Sequence, residues 1–178
     1  MNITFTTQPN RMLVIPIEFV FWGFVVAYVI HILEEAVLGE NFVSKVRQNF
    51  FPGYDWTKFF WFNTFLLTLN VLAILVYDTW GGNWIILPLS LAIERTLNGA
   101  WHFGETLLTR KFSSGLLASA LTWMLAYFLV RYALAKGEIS SIQFLSALAI
   151  GALITLLMFS MLFVTRAKTL TRSTSGKA

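Results

Sequence analysis

The chain has 178 residues, of which 57% are hydrophobic and only 12% are charged. A soluble domain carries about twice that charged fraction, so the composition excludes an ordinary soluble protein and predicts helices buried in lipid. The net charge of +4 is concentrated in loops and near the C-terminus, which indicates membrane topology and no nucleic-acid binding. The absence of cysteine excludes disulfides, iron–sulfur clusters and thiolate chemistry.

Five long apolar segments are separated by short polar stretches. Each is long enough to cross a hydrocarbon core of roughly 30 Å at about 1.5 Å per residue. Pro52-Gly53, Gly81-Gly82 and Lys136-Gly137 provide turn signals between them. The sequence therefore predicts an all-α fold, a polytopic transmembrane helical bundle with one embedded domain at 1–168 and a disordered cytoplasmic tail at 169–178. The predicted spans are residues 13–38, 59–77, 83–107, 114–135 and 139–164.

The longest connection, residues 40–57, is predicted to form an interfacial helix on the cytoplasmic leaflet. Apolar residues alternate there with Lys45, Arg47 and Gln48, which is typical of a helix at a lipid surface and also of a plain amphipathic linker. Of the thirteen Lys and Arg residues, three fall on one side of the spans, nine on the other, and Arg95 inside the third span. Because basic residues favour the cytoplasmic side, we expect an external N-terminus and a cytoplasmic C-terminus, with a bacterial inner membrane as the location.

Polar residues inside the first span share one helix face. His31, Glu34 and Glu35 fall within about 100° of one another at the helical period. His31 lies eight residues before Gly39, where the span gives way to polar residues. This places the imidazole roughly 12 Å from the cytoplasmic boundary.

The third span carries a matching stripe, formed by Glu94, Asn98, His102 and Glu105 at spacings of 4, 4 and 3 residues. These four positions cover only about 80° of the helix surface. His102 lies eight residues before Arg110, so its depth equals that expected for the histidine of the first span. Two parallel helices can therefore bring both stripes side by side inside the bilayer.

Ionisable groups in lipid are expensive, at roughly 2.5–3.5 kcal/mol for a charge at a helix centre. The two stripes must therefore face each other, water or an ion. Two imidazoles with several carboxylates form the ligand set of di-iron or di-manganese sites in helical bundles, and three of these groups with a water suit a catalytic zinc. We expect a divalent metal, with His31, Glu34, Glu35, His102 and Glu105 as ligands.

Arg95 offers a competing explanation. It lies seven residues before His102 and can neutralise a carboxylate without metal, or bind the phosphate of a lipid head group. Protonation of buried glutamates would remove the remaining charge imbalance. A metal-free catalytic cluster and a path for protons or cations therefore remain open alternatives.

The stretch His31-Ile32-Leu33-Glu34-Glu35 resembles the signature of the HXXEE family of integral membrane proteins, which has no assigned function. Residues 98–102 and 110–116 are similar to the second region of that family, in which a histidine precedes a basic and aromatic segment that ends in Pro-Gly. Ser114 stands here in the place of that proline. The resemblance covers most of the first four spans and implies no reaction.

A partial resemblance to intramembrane prenyl-protein proteases rests on Glu34, Glu35, His102 and Asn98. Those enzymes also carry an arginine four residues after the second glutamate, where this chain has Gly39. This resemblance implies a metal-free glutamate and histidine hydrolase as the alternative to a metal enzyme.

We expect a membrane-embedded, metal-dependent enzyme, a hydrolase or an oxidoreductase, acting on a lipid or other hydrophobic substrate. Its catalytic candidates are Glu35, Glu94, Arg95 and Asn98, beside the metal ligands named above. A proton or cation transporter is the second alternative, although the outer halves of the first and third spans hold few polar groups. The expected partners are the bilayer and a lipid-like substrate, and the sequence leaves the oligomeric state open.

Overall fold

Long helices make up the computed structural model, which describes residues 16–38 and 42–175, without the side chains of 134–135 and 162–175. Its backbone confirms an all-α bundle with no strand in these ranges. The elements are α1 (Ile17–Leu33), a π-helical turn (Glu34–Leu38), α2 (Phe42–Asn49), α3 (Trp56–Trp80), a 3₁₀ turn (Gly82–Ile85), α4 (Ile86–Thr109), α5 (Leu116–Lys136) and α6 (Ser141–Ser175).

Four of these helices are long and apolar enough to cross a membrane. Many large apolar side chains on their outer surfaces are exposed, among them Phe19, Trp61, Leu75 and Leu156. Such a surface suits lipid and not water, because soluble monomers rarely expose extended apolar patches. The candidate spans are Ile17–Leu38, Trp56–Trp80, Leu116–Ala133 and Ser141–Met161.

The remaining long helix, α4, lies in the centre of the bundle and packs against α1, α3, α5 and α6. It carries the buried polar residues Glu94, Arg95 and His102, which lower its hydropathy. α4 nevertheless runs from one end of the bundle to the other. At one end the Gln143 amide donates to Asn83 Oδ1 over 3.1 Å, and at the other Lys45 pairs with Glu105. The surrounding helices therefore cover the buried polar residues of α4.

The helix boundaries follow the turn signals of the sequence. Gly81 and Gly137 end α3 and α5 with φ values of 59° and 66°, a conformation that glycine adopts without strain. Asp55 caps α3 by accepting a hydrogen bond from the backbone N–H of Lys58 over 2.8 Å. Hydrogen bonds from Lys58 also hold the pKa of the Asp55 carboxyl below its ordinary value.

The apolar core lies toward the end of the bundle at which α1 begins. Phe21, Phe24, Ile85, Leu89 and Leu129 are almost fully buried there and join α1, α4 and α5 to the 3₁₀ turn. The polar residues of α1 and α4 lie toward the opposite end. The core therefore holds the two helices in register, so that their polar ends lie side by side.

The connection between α1 and α3 contains a helix, as the sequence predicts, but α2 covers only Phe42–Asn49. α6 extends to Ser175, beyond the predicted end at residue 164 and into the stretch predicted as a disordered tail. Residues 1–15, 39–41 and 176–178 lie outside the described part, so the predicted start of the first span at Leu13 falls there.

Candidate metal site

Three buried side chains from α1, its π-helical turn and α4 form a compact cluster. His31, Glu35 and His102 each offer one ligand atom, and these atoms all lie within 4.8 Å of one another. Their residues are only 7%, 4% and 3% exposed. The two imidazole rings have centroids 4.9 Å apart and meet edge to face. The predicted meeting of the two polar stripes therefore occurs at the histidines.

The separations within this cluster match the spacing of ligands around one ion. Glu35 Oε1 lies 3.4 Å from His31 Nε2 and 3.7 Å from His102 Nε2. A charged hydrogen bond is about 2.7–2.9 Å long, so both distances are too long for one. Ligand atoms bound tetrahedrally at about 2.0 Å from zinc are about 3.3 Å apart. The two carboxylate–imidazole separations are therefore close to the spacing of two ligands on one small divalent ion.

Ser113 sets the tautomer of His102. The Ser113 hydroxyl donates to Glu105 Oε2 over 2.5 Å, which uses its single proton. The same oxygen lies 3.1 Å from His102 Nδ1 and must accept the hydrogen bond there, so Nδ1 carries the ring proton. The lone pair of Nε2 then points toward Glu35. Metal-binding histidines are oriented in this way by a second partner on the other ring nitrogen.

Gly115 forms the wall behind both imidazoles. Its φ of +100° lies in the region that L side chains rarely adopt. A Cβ at this position would lie 2.6 Å from His31 Cε1 and 2.9 Å from His102 Cε1. The backbone between α4 and α5 can therefore pass directly behind the two rings only because the residue there has no side chain.

The structure gives Glu34 a different role from the predicted metal ligand. Its two carboxylate oxygens accept hydrogen bonds from the backbone N–H groups of Leu117 and Ala118, at 3.1 and 2.9 Å. These are unpaired donors in the first turn of α5, where the helix dipole also favours a negative charge. Glu34 therefore caps α5 and joins it to α1.

Glu94 and Arg95 form a bidentate ion pair deep in the bundle. Nε and Nη2 of Arg95 each donate to one oxygen of Glu94 over 2.5 Å. The Arg95 guanidinium also stacks on the Tyr28 ring, 4.2 Å from its centroid. Glu94 lies eight residues before His102, about 12 Å along the helix, so a shared helix face does not bring it to the cluster.

Glu105, also predicted as a ligand, binds at the edge of the cluster. Its Oε1 pairs with Lys45 of α2, and its Oε2 accepts the Ser113 hydroxyl. The carboxylate is therefore neutralised by a lysine that the sequence placed in an interfacial segment. Glu105 acts on His102 through Ser113 and is two hydrogen bonds away from the cluster.

The carboxylates of the two stripes thus differ in their partners. Glu34, Glu94 and Glu105 are satisfied by a helix N-terminus, an arginine and a lysine, respectively. The ion-pair partners of Glu35 are the two histidines, and within the described ranges no Lys or Arg nitrogen lies within 4.0 Å of its carboxylate. A buried carboxylate needs compensation, and only Glu35 is left to obtain it from the cluster itself.

A cavity of about 650 Å³ opens beside the cluster, and His31 and Glu35 form part of its wall. This volume lies within the range of small-molecule sites, about 300–1,000 Å³. The α1 and α4 side carries polar groups, and the side formed by α2, α3 and α6 is mainly apolar. The apolar lining includes Phe42, Val46, Phe62, Leu66, Met158 and Met161.

The polar side of the cavity offers hydrogen-bonding groups near the cluster. Asn98, predicted as catalytic, lines the cavity one helical turn before His102. Asn63 also lines it, but it already accepts a hydrogen bond from the Tyr28 hydroxyl and donates one to Phe59 O, each 2.9 Å long. Tyr54 lies in the loop before α3, where burial, and secondarily the Glu35 charge, raises the pKa of its phenol. The Tyr54 hydroxyl therefore stays protonated.

Sequence reasoning did not assign roles to Ser113, Gly115 and Lys45. The first two lie in a short stretch after α4 that helical periodicity cannot evaluate, because the chain reverses there. The usable signal is Gly115, just after a histidine-bearing helix, since such a glycine marks a close approach of the backbone. Lys45 pairs with Glu105 across 60 residues, and no local pattern indicates that contact.

The family model for proteins of unknown function with an HXXEE motif matches residues 22–130, more than half of the chain. The chain belongs to this HXXEE family. No curated protein and no solved structure gives a significant match. In this HXXEE protein the first and last letters of the motif, His31 and Glu35, lie in the cluster, and Glu34 caps α5.

Proposed function

We propose that this HXXEE protein is a membrane-embedded enzyme that uses one divalent metal, held by His31, Glu35 and His102, to act on a hydrophobic substrate in the adjoining cavity. Two histidines with one carboxylate form the ligand set of catalytic zinc in several hydrolases and of mononuclear non-haem iron. The observation that carries the proposal is the Glu35 carboxylate, buried between two Nε2 atoms at 3.4 and 3.7 Å.

The charges around the cluster favour a single ion. A di-iron or di-manganese site needs about four carboxylates, whereas Glu34, Glu94 and Glu105 have other partners. Glu35 with a divalent ion gives a net charge of +1 at the cluster. That charge would suit a bound hydroxide or a polarised carbonyl oxygen, the chemistry that such a metal supplies.

The residues around the cavity would hold a substrate against the cluster. Asn98 is half-buried and lines the cavity close to His102, so its amide can donate a hydrogen bond to a substrate carbonyl. The Tyr54 hydroxyl offers a second donor at the mouth. The apolar side chains of α3 and α6 exclude water, which strengthens such interactions. Arg95, predicted as catalytic, would act by holding Tyr28 and the floor of the cavity through its pair with Glu94.

Metal analysis of the purified protein tests the proposal. We expect about one equivalent of zinc, iron or another divalent metal per chain by mass spectrometry of the elements. His31→Ala, Glu35→Ala and His102→Ala should each lose it, because two remaining ligands bind weakly. Glu18→Ala, which removes a half-buried glutamate at the far end of α1, is the matched control and should retain the metal. A wild-type protein without stoichiometric metal, or a double histidine variant that keeps it, would refute the site.

A metal-free hydrolase is the second candidate, because Glu35 lies 3.4 and 3.7 Å from two imidazoles, and these are residue types of general acid–base catalysis. The same measurements separate the two functions. Turnover that survives complete chelation and disappears in Glu35→Gln would favour the metal-free enzyme. Cation or proton flux in vesicles would instead revive the transporter alternative.

The expected membrane and orientation belong to the same proposal. By the count from the sequence, nine Lys and Arg residues fall on one side of the predicted spans and three on the other. This bias supports a cytoplasmic C-terminus and an external N-terminus in a bacterial inner membrane. The cluster would then lie in the cytoplasmic half of the bilayer.

A further inference from the structure

The cavity beside the cluster has two chemically different walls. A basic edge, formed by Lys58 and Arg47, lies where the cavity meets the end of the bundle. The α1 and α4 wall presents His31, Glu35 and Asn98. The opposite wall, from α3 and α6, is made mainly of aromatic, leucine and methionine side chains, with Asn63 as a polar residue of α3. A ligand that fits both walls has a polar group and a continuous apolar part.

The apolar wall also leads to the outside of the bundle. Trp61 and Phe65 of α3 and Met161 of α6 line the cavity, and they are 72%, 60% and 65% exposed. Side chains that border the cavity and are also exposed on membrane-spanning helices mark a lateral opening toward lipid. A molecule dissolved in the bilayer can therefore enter between α3 and α6 without crossing water.

Basic side chains lie at the end of the cavity nearest the helix termini. Lys58, in the first turn of α3, lines the cavity and is exposed, and its Nζ pairs with Asp55 Oδ2 over 2.6 Å. Arg47 of α2 is also exposed, and its Nε donates to the backbone carbonyl of Tyr54, another lining residue, over 2.9 Å. Segment 42–58 carries Lys45, Arg47 and Lys58 against Asp55, a charge of +2, which falls to +1 when Glu105 is paired with Lys45. An anionic group is favoured there.

We propose that the cavity binds an anionic, single-chain amphiphile of the bilayer, such as a long-chain carboxylate. Its chain lies between α3 and α6, and its head group lies beside Lys58 and Arg47. The cavity volume of about 650 Å³ accommodates a single-chain molecule about as large as a drug, and it is too small for a phospholipid with two chains. If the protein is the proposed enzyme, the bond of this ligand that reacts lies next to His31 and Glu35. Binding of the hydrocarbon chain itself needs no metal.

Photo-crosslinking in vesicles tests this ligand class. The probes are two 16-carbon chains with a mid-chain diazirine, one with a carboxylate head and one with a trimethylammonium head. We expect the carboxylate probe to insert at least fivefold more into the α3 and α6 residues of the cavity, as mapped by peptide mass spectrometry. Arg47→Gln combined with Lys58→Gln should remove this preference.

Leu66→Trp fills the cavity and should reduce the insertion by at least fivefold, because Leu66 lines it and is 5% exposed. Thr64→Trp is the control at nearly the same depth of α3, on an exposed position outside the cavity lining, and should leave insertion unchanged. Met158→Trp blocks the cavity from α6 if Leu66→Trp does not fold. Equal insertion of both probes, or unchanged insertion in the folded blocking variant, would overturn the inference.

The same assay in His102→Ala, which is expected to lose the metal, keeps the two proposals apart. Chain binding should persist there, because His102 is not among the residues that line the cavity. A protein that binds the carboxylate probe but holds no metal would refute the proposed enzyme and leave the ligand class intact. A protein that holds metal but shows no preference between the two probes would do the reverse.

Discussion

Ser113 connects His102 to a charged pair at the surface of the bundle. Its hydroxyl donates to Glu105 and accepts from His102 Nδ1, so a single side chain transmits the Lys45–Glu105 contact to the cluster. Second partners of this kind contribute to metal affinity because they fix the ring orientation and the tautomer.

Ser113→Ala should therefore weaken metal binding by about 10–100-fold while the protein remains folded. A competition titration with a chelator of known affinity measures the change. Ser114→Ala is the neighbouring control, at a buried serine outside the chain of hydrogen bonds to His102, and should bind metal as wild type does. Equal affinity in both variants would remove Ser113 from the site, and Ser113→Thr should restore most of the affinity.

Gly115 provides a steric test at the same scale. In Gly115→Ala the new methyl group would press on both imidazoles, and the positive φ would add strain of order 1–3 kcal/mol. We expect lost metal together with a lower melting temperature in detergent. Gly104→Ala is the control, because a Cβ there meets no atom within 4 Å and Ala favours the helix. A Gly115→Ala protein with normal metal content would contradict the close packing.

At the scale of the helix, the side chains of the HXXEE motif contact two different neighbouring helices, α4 and α5. His31 and Glu35 are four residues apart and point to α4, whereas Glu34 points to the first turn of α5. Glu35 also lies in the π-helical turn Glu34–Leu38, a widened geometry that is common at functional sites. One turn of α1 therefore contributes to the cluster and fixes the position of another helix.

Glu34→Ala should destabilise the protein by about 2 kcal/mol, because one buried and one partly buried N–H group at the start of α5 lose their acceptor. The variant should still bind about one metal per chain once it is folded. Thermal unfolding in detergent, combined with metal analysis, measures both properties. Lost metal with an unchanged melting temperature would restore Glu34 as a ligand, as the sequence predicts.

The sequence predicts the helices and part of the site, because both depend on positions within single helices. It does not predict the contacts that depend on how the helices pack. The meeting of His31, Glu35 and His102 could be predicted, because the face and the depth of each residue follow from its position along its own helix. Glu94 shares that face but lies too far along the axis. The partners of Glu34 and Glu105 come from α5 and α2, so only the packed bundle identifies them.

At the scale of the whole molecule, five long helices in residues 16–38 and 42–175 alternate in direction, with the polar helix α4 in the middle. The 3₁₀ turn before α4 contacts Gln143 at the start of α6, while the far end of α4 contacts α2. α5 joins the loop near Lys111 to the loop near Glu138, so a full crossing by α5 places these two loops on opposite sides of the membrane.

The absence of cysteine makes this topology directly testable, because one introduced thiol is the only one in the chain. We expect Glu138→Cys to react with a membrane-impermeant maleimide in intact spheroplasts. Lys111→Cys should react only after permeabilisation. Both positions are exposed, so burial does not explain a difference. Equal labelling of the two positions in intact spheroplasts would mean that α5 does not cross the membrane.

X-ray absorption at the edge of the bound metal tests the central claim most directly. For one ion held by His31, Glu35 and His102, the spectrum should show two imidazole nitrogens at about 2.0–2.1 Å with their characteristic outer-shell scattering, plus oxygen at about 2.0–2.2 Å. His102→Ala should remove one imidazole. A first shell of oxygen alone, or a second metal at about 3.5–4 Å, would contradict a mononuclear site with two histidines and one carboxylate.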